Sequence, residues 1–173
     1  KFIGLAEPIC KDIIIAGGSM GLGLPGAVGL ALAKKLKCEE GMVYVLMSDG
    51  ELQCGTTLES ALIAVHHKLD NLVVIIDNNG LQAMGRTEDI LNISPQQMFR
   101  GFGWTAEYID GHDYEDIEKS IKTEVAGPII LIAKTIKGKG WKRAENNNLY
   151  HYKQLSKEEY DEALKELTAY AGA

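Results

Sequence analysis

Two continuous apolar runs separated by one helical pattern constrain the fold of this chain more than any other feature. Residues 42–47 read MVYVLM and residues 71–77 read NLVVIID. Uninterrupted apolar runs of this length are typical of parallel strands that are buried on both faces. Between them, residues 57–69 have the periodicity of an amphipathic helix. The inner face of this helix is predicted to carry Leu58, Ala61, Leu62 and Val65. A strand, a helix and a strand in this order predict neighbouring parallel strands.

The rest of the chain continues the same alternation. Residues 12–16 are predicted to form a strand or an extended entry to the next helix. Further strands are predicted at residues 105–109 and 128–134, and helices at 22–36, from 95, at 113–124 and from 156. Ser94 with Gln97 and Ser156 with Glu159 fit capping boxes, and Asp113 fits a helix cap. The last helix is predicted to turn inward Tyr160, Ala163, Leu164 and Leu167. We therefore predict an α/β fold with an open, parallel, doubly wound sheet and helices on both faces, whose ligands bind at the carboxyl ends of the strands.

Composition excludes several classes of protein. The 173 residues are 46% apolar and 24% charged, as expected for one globular domain. A net charge of -6 argues against a nucleic-acid-binding protein. The three cysteines form no CxxC pair, so neither a disulfide framework nor a zinc site is indicated, and we expect a reducing cytoplasm. No apolar run approaches the about 20 residues of a membrane span, so no membrane association is expected.

One glycine pattern suggests a dinucleotide site. Residues 21–26, GLGLPG, fit G-x-G-x-x-G after the apolar run DIIIA, and Asp49 stands 23 residues after Gly26. In dinucleotide-binding folds an acid at about this distance binds the ribose. A tight turn with close helix packing explains the same glycines. The pattern alone leaves both interpretations open.

Polar residues follow the two buried strands at the point where each strand ends. Residues 48–51, SDGE, follow the first strand, and residues 77–80, DNNG, follow the second. Since one helix joins the two strands, Asp49 and Asn79 are expected at the same edge of the sheet, close enough to share one ion. Mg²⁺ prefers oxygen ligands and takes several of them from phosphates and water. Gly50 would let the backbone approach a phosphate without a Cβ in the way. Together the two turns predict a site for a metal and a phosphate.

These residues resemble the thiamine-diphosphate motif, which begins G-D-G and ends N-N about thirty residues later. The segment SDGELQCGTTLESALIAVHHKLDNLVVIIDNNGLQ is similar to transketolases, and most similar to the form that is split into two subunits. Other segments resemble further parts of that family, namely GGSMGLGLPGAVGLALA, GWTAEYIDGHD and KTIKGKGWKRAENNNLYHY. The resemblance implies the thiamine-diphosphate-binding fold and covers about residues 16–152.

The resemblance also implies roles for particular residues. The implied ligands of Mg²⁺ or Ca²⁺ are the side chains of Asp49 and Asn79 and the carbonyl of Leu81. The implied contacts to the cofactor are Gly18, Met20, Gly50, Glu51, Asn79 and His151. Catalytic roles are implied for His151, which contacts the diphosphate and the substrate, and for Glu59, an acid near the subunit interface.

Other polar residues near the predicted strand ends fit more than one interpretation. His112 fits either local capping or a place near the pocket. Residues 137–140, KGKG, fit either a loop that faces phosphate or a solvated connection.

The sequence departs from the family at three places. Ser48 stands in place of the first glycine of the motif, and Cys54 stands in place of an interfacial glutamate that supports cofactor activation. The stretch LAEPICKD carries no histidine where the family has a His-Pro-Glu-like segment. The departures at Cys54 and upstream of Gly18 leave catalysis open.

The resemblance implies a function for an assembly rather than for one chain. Residues 1–173 are expected to form one diphosphate-side domain that lacks its N-terminal part. It would supply the Mg-diphosphate half of an enzyme that transfers a ketol group between sugars. A pyrimidine-binding, C-terminal-type subunit would complete the site in a dimer of heterodimers. The alternatives are an α-type subunit of a 2-oxo-acid dehydrogenase, a relative of deoxyxylulose-phosphate synthase, a non-catalytic subunit of the same fold, and the dinucleotide-binding domain.

Overall fold

A parallel sheet organises the chain, as the apolar runs predict. The computed structural model describes residues 13–15 and 18–171, the last of these by its backbone alone. Its elements in chain order are α1 (Gly23–Leu36), β1 (Val43–Ser48), α2 (Gly55–His66), β2 (Leu72–Asn78), β3 (Leu81–Gln82), β4 (Gly85–Arg86), α3 (Thr87–Ile90), α4 (Pro95–Phe102), β5 (Thr105–Asp110), α5 (Tyr114–Ile121), β6 (Ile129–Lys134) and α6 (Lys157–Ala171), with 3-10 turns at Asp49–Gln53 and Asn148–His151.

The four long strands lie in the order β1-β2-β6-β5, and every neighbouring pair is parallel. In this register Ser48 at the end of β1 lies opposite Asp77 near the end of β2, and Asp77 lies opposite Ala133 of β6. The carboxyl ends of these three strands therefore meet at one edge of the sheet. Strands β3 and β4 form a separate two-residue antiparallel hairpin just beyond β2.

Helices cover both faces of the sheet, which confirms the doubly wound arrangement. The larger hydrophobic core lies on the side of α1, α2 and α4 and includes Leu24, Ala61 and Phe99. A smaller core, around Val73 and Leu131, lies on the side of α5. None of the helices in the described ranges is long and apolar enough to cross a membrane.

Two predicted helix faces were partly wrong. In α2 the buried residues are Thr57, Ser60, Ala61 and Ala64, whereas Leu62 is 53% exposed. The buried face of α2 thus consists of small side chains, and the larger Leu62 lies outside it. In α6 only Ala163 of the four predicted inward residues is buried, and Tyr160, Leu164 and Leu167 are exposed.

Local helix signals were confirmed in part. The Asp113 carboxylate accepts the N–H groups of Glu115 and Asp116, and α5 ends at Ile121 rather than at residue 124. Ser156 and Glu159 form the predicted capping box, with each side chain accepting the other residue's N–H. In contrast, Ser94 makes no capping hydrogen bond with its side chain, while Pro95 occupies the first turn of α4 as predicted.

Of the two structures predicted for residues 12–16, the strand is not formed at the residues that the structure describes. Residues 13–15 have no regular secondary structure, and residues 12 and 16 lie outside the described residues. The turn at Gly21, called the glycine turn below, thus leads into α1 with no strand at residues 13–15. The dinucleotide interpretation needs that strand, because the motif binds phosphate between a strand end and a helix start. The structure therefore does not support it.

Candidate functional site

The turns that follow β1 and β2 are joined by a direct hydrogen bond. Asp49 begins the 3-10 turn after β1 and is only 6% exposed. Its Oδ2 accepts the backbone N–H of Gly80 at 2.7 Å. Gly80 follows Asn79 in the turn after β2 and has φ +73°, which favours glycine. The structure thus brings the predicted metal ligands Asp49 and Asn79 to the same edge of the sheet.

Burial makes the Asp49 carboxylate unusual. The pKa of Asp49 is raised above its ordinary value, mainly because burial removes solvent and also because Asp77 is negatively charged. The N–H groups of Gly80 and Gly50 and the positive charge of Lys137 act in the opposite direction and lower this pKa. Within residues 13–15 and 18–171, no lysine, arginine or histidine pairs with this carboxylate. A buried carboxylate without a counter-charge is costly unless a cation accompanies it.

The Asn79 side chain is held in place by its neighbours. Its amide nitrogen donates to Oδ2 of Asp77 at 3.1 Å, and its Oδ1 accepts the N–H of Leu81 at 3.0 Å. The Thr135 hydroxyl from the loop after β6 donates to the other oxygen of Asp77. Asn79 therefore presents its oxygen beside the backbone of Leu81, the residue predicted to offer a carbonyl.

The ligand set differs from a protein-only metal cage. The described residues contain no group of three or more His, Cys, Asp or Glu side chains that could hold an ion. An ion at Asp49 would have one carboxylate, one amide oxygen and one carbonyl oxygen from the chain, and would need further oxygens from its ligand. This composition is what Mg²⁺ uses when it bridges a protein and a phosphate.

The side chains of Met20 and Gln82 lie close to Gly50. A Cβ on Gly50 would lie 3.1 Å from the Met20 methyl carbon and 3.3 Å from Cδ of Gln82. Met20 is 55% exposed. Two predicted cofactor contacts, Gly50 and Met20, thus lie together. Gln82 joins them, and sequence reasoning missed it because a glutamine in a hairpin carries no motif.

The Glu51 carboxylate hydrogen-bonds both the glycine turn and the end of β1. Its Oε1 accepts the N–H of Gly21 at 2.9 Å, and its Oε2 accepts the N–H of Ser48 at 3.1 Å. The Thr56 hydroxyl donates to the carbonyl of Gly21 at 2.7 Å. Both oxygens of Glu51 are therefore used in backbone contacts, which gives the residue a structural part beside its predicted contact to cofactor. Gly18 has open space around its Cα.

His151 lies in the second 3-10 turn, which rests on the hairpin. Asn148 of that turn donates from its side chain to the carbonyl of Ala83 at 2.9 Å. Nδ1 of His151 is buried and has no hydrogen-bond partner within the part of the chain that the structure describes. Burial lowers the pKa of His151, and the positive charge of Lys137 lowers it further, so the ring is neutral at pH 7. Lys137 acts on both His151 and Asp49, although the sequence left its role open.

A cleft of about 480 Å³ opens at the carboxyl edge on the α5 side of the sheet. Asp77, Asn79 and Lys137 form part of its polar wall, and Leu46 and Ile75 form part of its apolar wall. His112 also lines it, and its Nε2 accepts the N–H of Ile136 at 2.8 Å. His112 thus lies near the pocket, one of the two interpretations that the sequence allowed, and supports the loop that carries Lys137.

Glu59 lies apart from this group. It is exposed on α2, and none of the hydrogen bonds among the described residues links it to Asp49, Asn79 or His151. Cys54, at the start of the same helix, packs against Gly21, where an added Cβ would lie 3.2 Å from its Sγ. The two residues lie on the α2 side, where the sequence predicts a subunit interface.

Comparisons with known proteins agree on one family. The profile described as "Transketolase, thiamine diphosphate binding domain" matches residues 7–171. The chain is 38% identical over 155 residues to a subunit of the apulose-4-phosphate transketolase of Phocaeicola vulgatus, covering 87% of this chain and 55% of that protein. It is 35% identical over 166 residues to human transketolase, covering 93% of this chain and 26% of that protein.

Solved structures show the same fold. The crystal structure of transketolase from Campylobacter jejuni superposes with a TM-score of 0.84 at 32% identity, over 89% of this chain and 26% of that one. The chain therefore spans just over half the length of the relative from Phocaeicola vulgatus and about a quarter of the single-chain enzymes.

Proposed function

The chain belongs to the transketolase family, as its thiamine diphosphate binding domain, and from this membership we propose that its carboxyl sheet edge binds the cofactor's diphosphate through a divalent metal ion. The observation that carries the proposal is the 2.7 Å hydrogen bond from Gly80 to Asp49, which joins the two turns of the motif. The ligands from the chain are the side chains of Asp49 and Asn79 and the carbonyl of Leu81, and the ion is Mg²⁺ or Ca²⁺.

The residues present fit a bound diphosphate. Because Gly50 has no Cβ, the side chains of Met20 and Gln82 can lie close to its backbone beside Asp49. Two side-chain nitrogens, Nε2 of Gln82 and Nδ1 of His151, are buried and have no hydrogen-bond partner among the described residues. Buried polar atoms are nearly always paired, so these two support binding of a polar ligand. Lys137 adds a positive charge to the same space.

Each residue has a defined task in this proposal. Thiamine diphosphate, when bound, supplies the carbon nucleophile of ketol transfer. Asp49 and Asn79 hold the metal, Lys137 balances phosphate charge, and Met20 packs on the aminopyrimidine. His151 stays neutral beside Lys137, so it can accept or donate a hydrogen bond at the diphosphate or the substrate. Gly18 and Glu51 shape the glycine turn, and Glu59 contributes at the subunit interface.

The reaction we propose is transfer of a ketol group between sugars by an assembled transferase. Two similar proteins are named as subunits of transketolases acting on apulose-4-phosphate and on 6-deoxy-6-sulfo-D-fructose. Residues 1–173 form one diphosphate-side domain, and a pyrimidine-binding subunit completes the site in a dimer of heterodimers. A non-catalytic subunit of the same fold is the second candidate, and the observation that favours it is Cys54 in place of the family's glutamate.

Calorimetric titration tests the proposal, with the partner subunit present because the cofactor lies between two domains. We expect thiamine diphosphate to bind only with Mg²⁺, and NAD not to bind. Asp49→Asn should weaken cofactor binding at least about tenfold, since even outer-shell partners of a metal site contribute that much. Asp70→Asn is the matched control, because this exposed carboxylate precedes β2 at the opposite edge of the sheet.

The stability of the variant separates binding from folding. Because burial raises the pKa of Asp49, its ionised form is disfavoured in the metal-free protein, and the N–H of Gly80 can still donate to an amide oxygen. Asp49→Asn in EDTA at pH 7 should therefore melt no lower than the wild type. Unchanged affinity in this variant, or metal-independent binding in the wild type, would refute the metal site.

A further inference from the structure

Glu159 is a buried carboxylate that the proposed function does not use. It is 8% exposed, and with Asp49 it makes up the buried acidic residues of the described ranges. A buried carboxylate is costly unless several donors compensate it. The donors and cations around the Glu159 carboxylate therefore indicate which part of the chain it stabilises.

The donors to Glu159 come mainly from the segment that carries His151. The Tyr150 hydroxyl donates to its Oε1 at 3.0 Å, and the ammonium of Lys153 pairs with the same oxygen. Nη1 of Arg143 lies 3.7 Å from that oxygen. The Ser156 N–H, the one contact that belongs to the capping box, uses Oε2 at 3.0 Å. Three of the four partners thus belong to residues 143–153, and only Ser156 belongs to the start of α6.

These contacts flank His151 on both sides. Tyr150 precedes it, and Lys153 follows it by two residues. The Tyr150 ring also packs edge-on against Trp141, with ring centroids 4.9 Å apart, in a small cluster with Ala163 of α6. The Glu159 carboxylate therefore fixes the chain immediately before and after the histidine.

The other end of the same 3-10 turn is fixed at the metal side. Asn148 donates to the carbonyl of Ala83 in the hairpin that begins at Leu81. His151 lies between this contact and Glu159, and its buried Nδ1 has no partner in residues 13–15 and 18–171. Movement of either anchor would shift the histidine relative to the turn of Asn79.

We propose that Glu159 is a positioning residue that holds the Tyr150–Lys153 segment, and with it His151, at the diphosphate edge of the sheet. The inference rests on the proposed function, because it assigns a purpose to the place of His151. A capping box needs only the exchange with Ser156. The positioning role explains the additional bonds from Tyr150 and Lys153 and the nearby charge of Arg143, which a capping box does not require.

The test is a double-mutant cycle on the complex with the partner subunit, read as thiamine diphosphate affinity with Mg²⁺. Glu159→Gln should weaken binding about tenfold, the size seen when a residue that orients a ligand-binding histidine is lost. In the background of His151→Ala the same substitution should change affinity less than about twofold, because the group that it positions is gone. Tyr150→Phe should show a smaller loss with the same dependence on His151.

Glu162→Gln is the matched control. Glu162 lies on the same helix and pairs with Arg143 at 2.7 Å, and no hydrogen bond among the described residues joins it to Tyr150 or Lys153. Its affinity should stay within about twofold of wild type, as is usual for a distant surface pair. If Glu159→Gln is poorly folded by circular dichroism, Tyr150→Phe provides the cycle instead.

Several results would overturn the inference. Equal losses from Glu159→Gln with and without His151 would show a general structural role, as would an equal loss in Glu162→Gln. If His151→Ala binds the cofactor with wild-type affinity, His151 does not contribute to binding and the positioning role of Glu159 is refuted. The proposed metal site at Asp49 is not affected by that result. Failure of the wild-type complex to bind thiamine diphosphate would instead refute the proposed function, and this inference with it.

Discussion

Gly21 shows how much a single residue decides in this fold. Its φ is +80°, a left-handed conformation that side chains rarely adopt. A Cβ there would lie 2.6 Å from Oγ1 of Thr56 and 2.7 Å from Cβ of Cys54. Its N–H and carbonyl are both used, by Glu51 and Thr56. The glycine turn can approach the start of α2 only because residue 21 has no side chain.

Gly21→Ala should therefore lower the free energy of unfolding by about 2–4 kcal/mol, as left-handed strain and overpacking add together. Gly29→Ala is the control, because Gly29 is exposed in α1 and has open space around it. That change should raise stability by about 0.5–1 kcal/mol, the usual gain from alanine inside a helix. Urea unfolding measures both, and similar effects of the two substitutions would contradict the assignment of Gly21 as a packing glycine.

At the scale of elements, α6 is attached differently from the other long helices. Leu164 and Tyr160 are about half exposed, while Glu159 and Ala163 are buried. Ionic contacts from Arg143 and Lys153, together with a small aromatic cluster, hold it in place. Its attachment should therefore respond to pH, whereas the sheet and its apolar cores should not.

The direction of that response follows from Glu159. The hydrogen bond from Lys153, first among several, lowers the pKa of Glu159 to about 2. A lowered pKa means that the native state favours the ionised form, so the contribution to stability is present above the ordinary value of 4.5 and is lost as pH falls toward about 2. Glu159→Gln should melt below the wild type at pH 7, and the difference should shrink as pH falls from 4.5 toward about 2.

Melting followed by circular dichroism between pH 7 and pH 2.5 measures this difference. Glu162→Gln again provides the comparison, since its carboxylate is more exposed and its pair with Arg143 is worth little in water. A gap between Glu159→Gln and wild type that stays constant over the whole range would mean that the loss comes from packing rather than from charge.

At the scale of the molecule, apolar surface remains on two sides of the chain. Met20, Leu62 and Ile63 are about half exposed near the glycine turn and α2. On the other side of the sheet, Leu46 of β1 is 73% exposed, although parallel sheets are normally covered on both faces. Apolar surface near a site typically marks contact with another domain or subunit. This agrees with a chain that spans just over half of a relative whose name describes one subunit of an enzyme.

The chain by itself should not catalyse ketol transfer. A site with one side open admits water around the reacting carbon and offers only the metal and diphosphate contacts. A spectrophotometric transfer assay on the purified chain, with and without a pyrimidine-binding subunit, measures this. Activity should appear only in the complex and should be lost with Asp49→Asn. Robust transfer by the partner-free chain would refute the proposed assembly.

The sequence by itself determined the sheet and the edge that carries the site. The apolar runs before Asp49 and before Asn79 specify buried parallel strands, and parallel strands joined by one helix place their carboxyl ends together. The turn residues after them could therefore be named without coordinates. Local signals such as the Asp113 cap were equally readable, because they depend on neighbours only two or three residues away.

Only the tertiary structure decided which side chains outside the motif reach that edge. Gln82 and Lys137 come from a hairpin and from the loop after β6, and Glu159 acts from a helix beyond them. Their meeting depends on the path of the chain between distant elements, which periodicity does not encode. The same reason explains the partly wrong face of α2: hydrophobicity favours burial of Leu62, but the face that the fold buries there consists of small side chains.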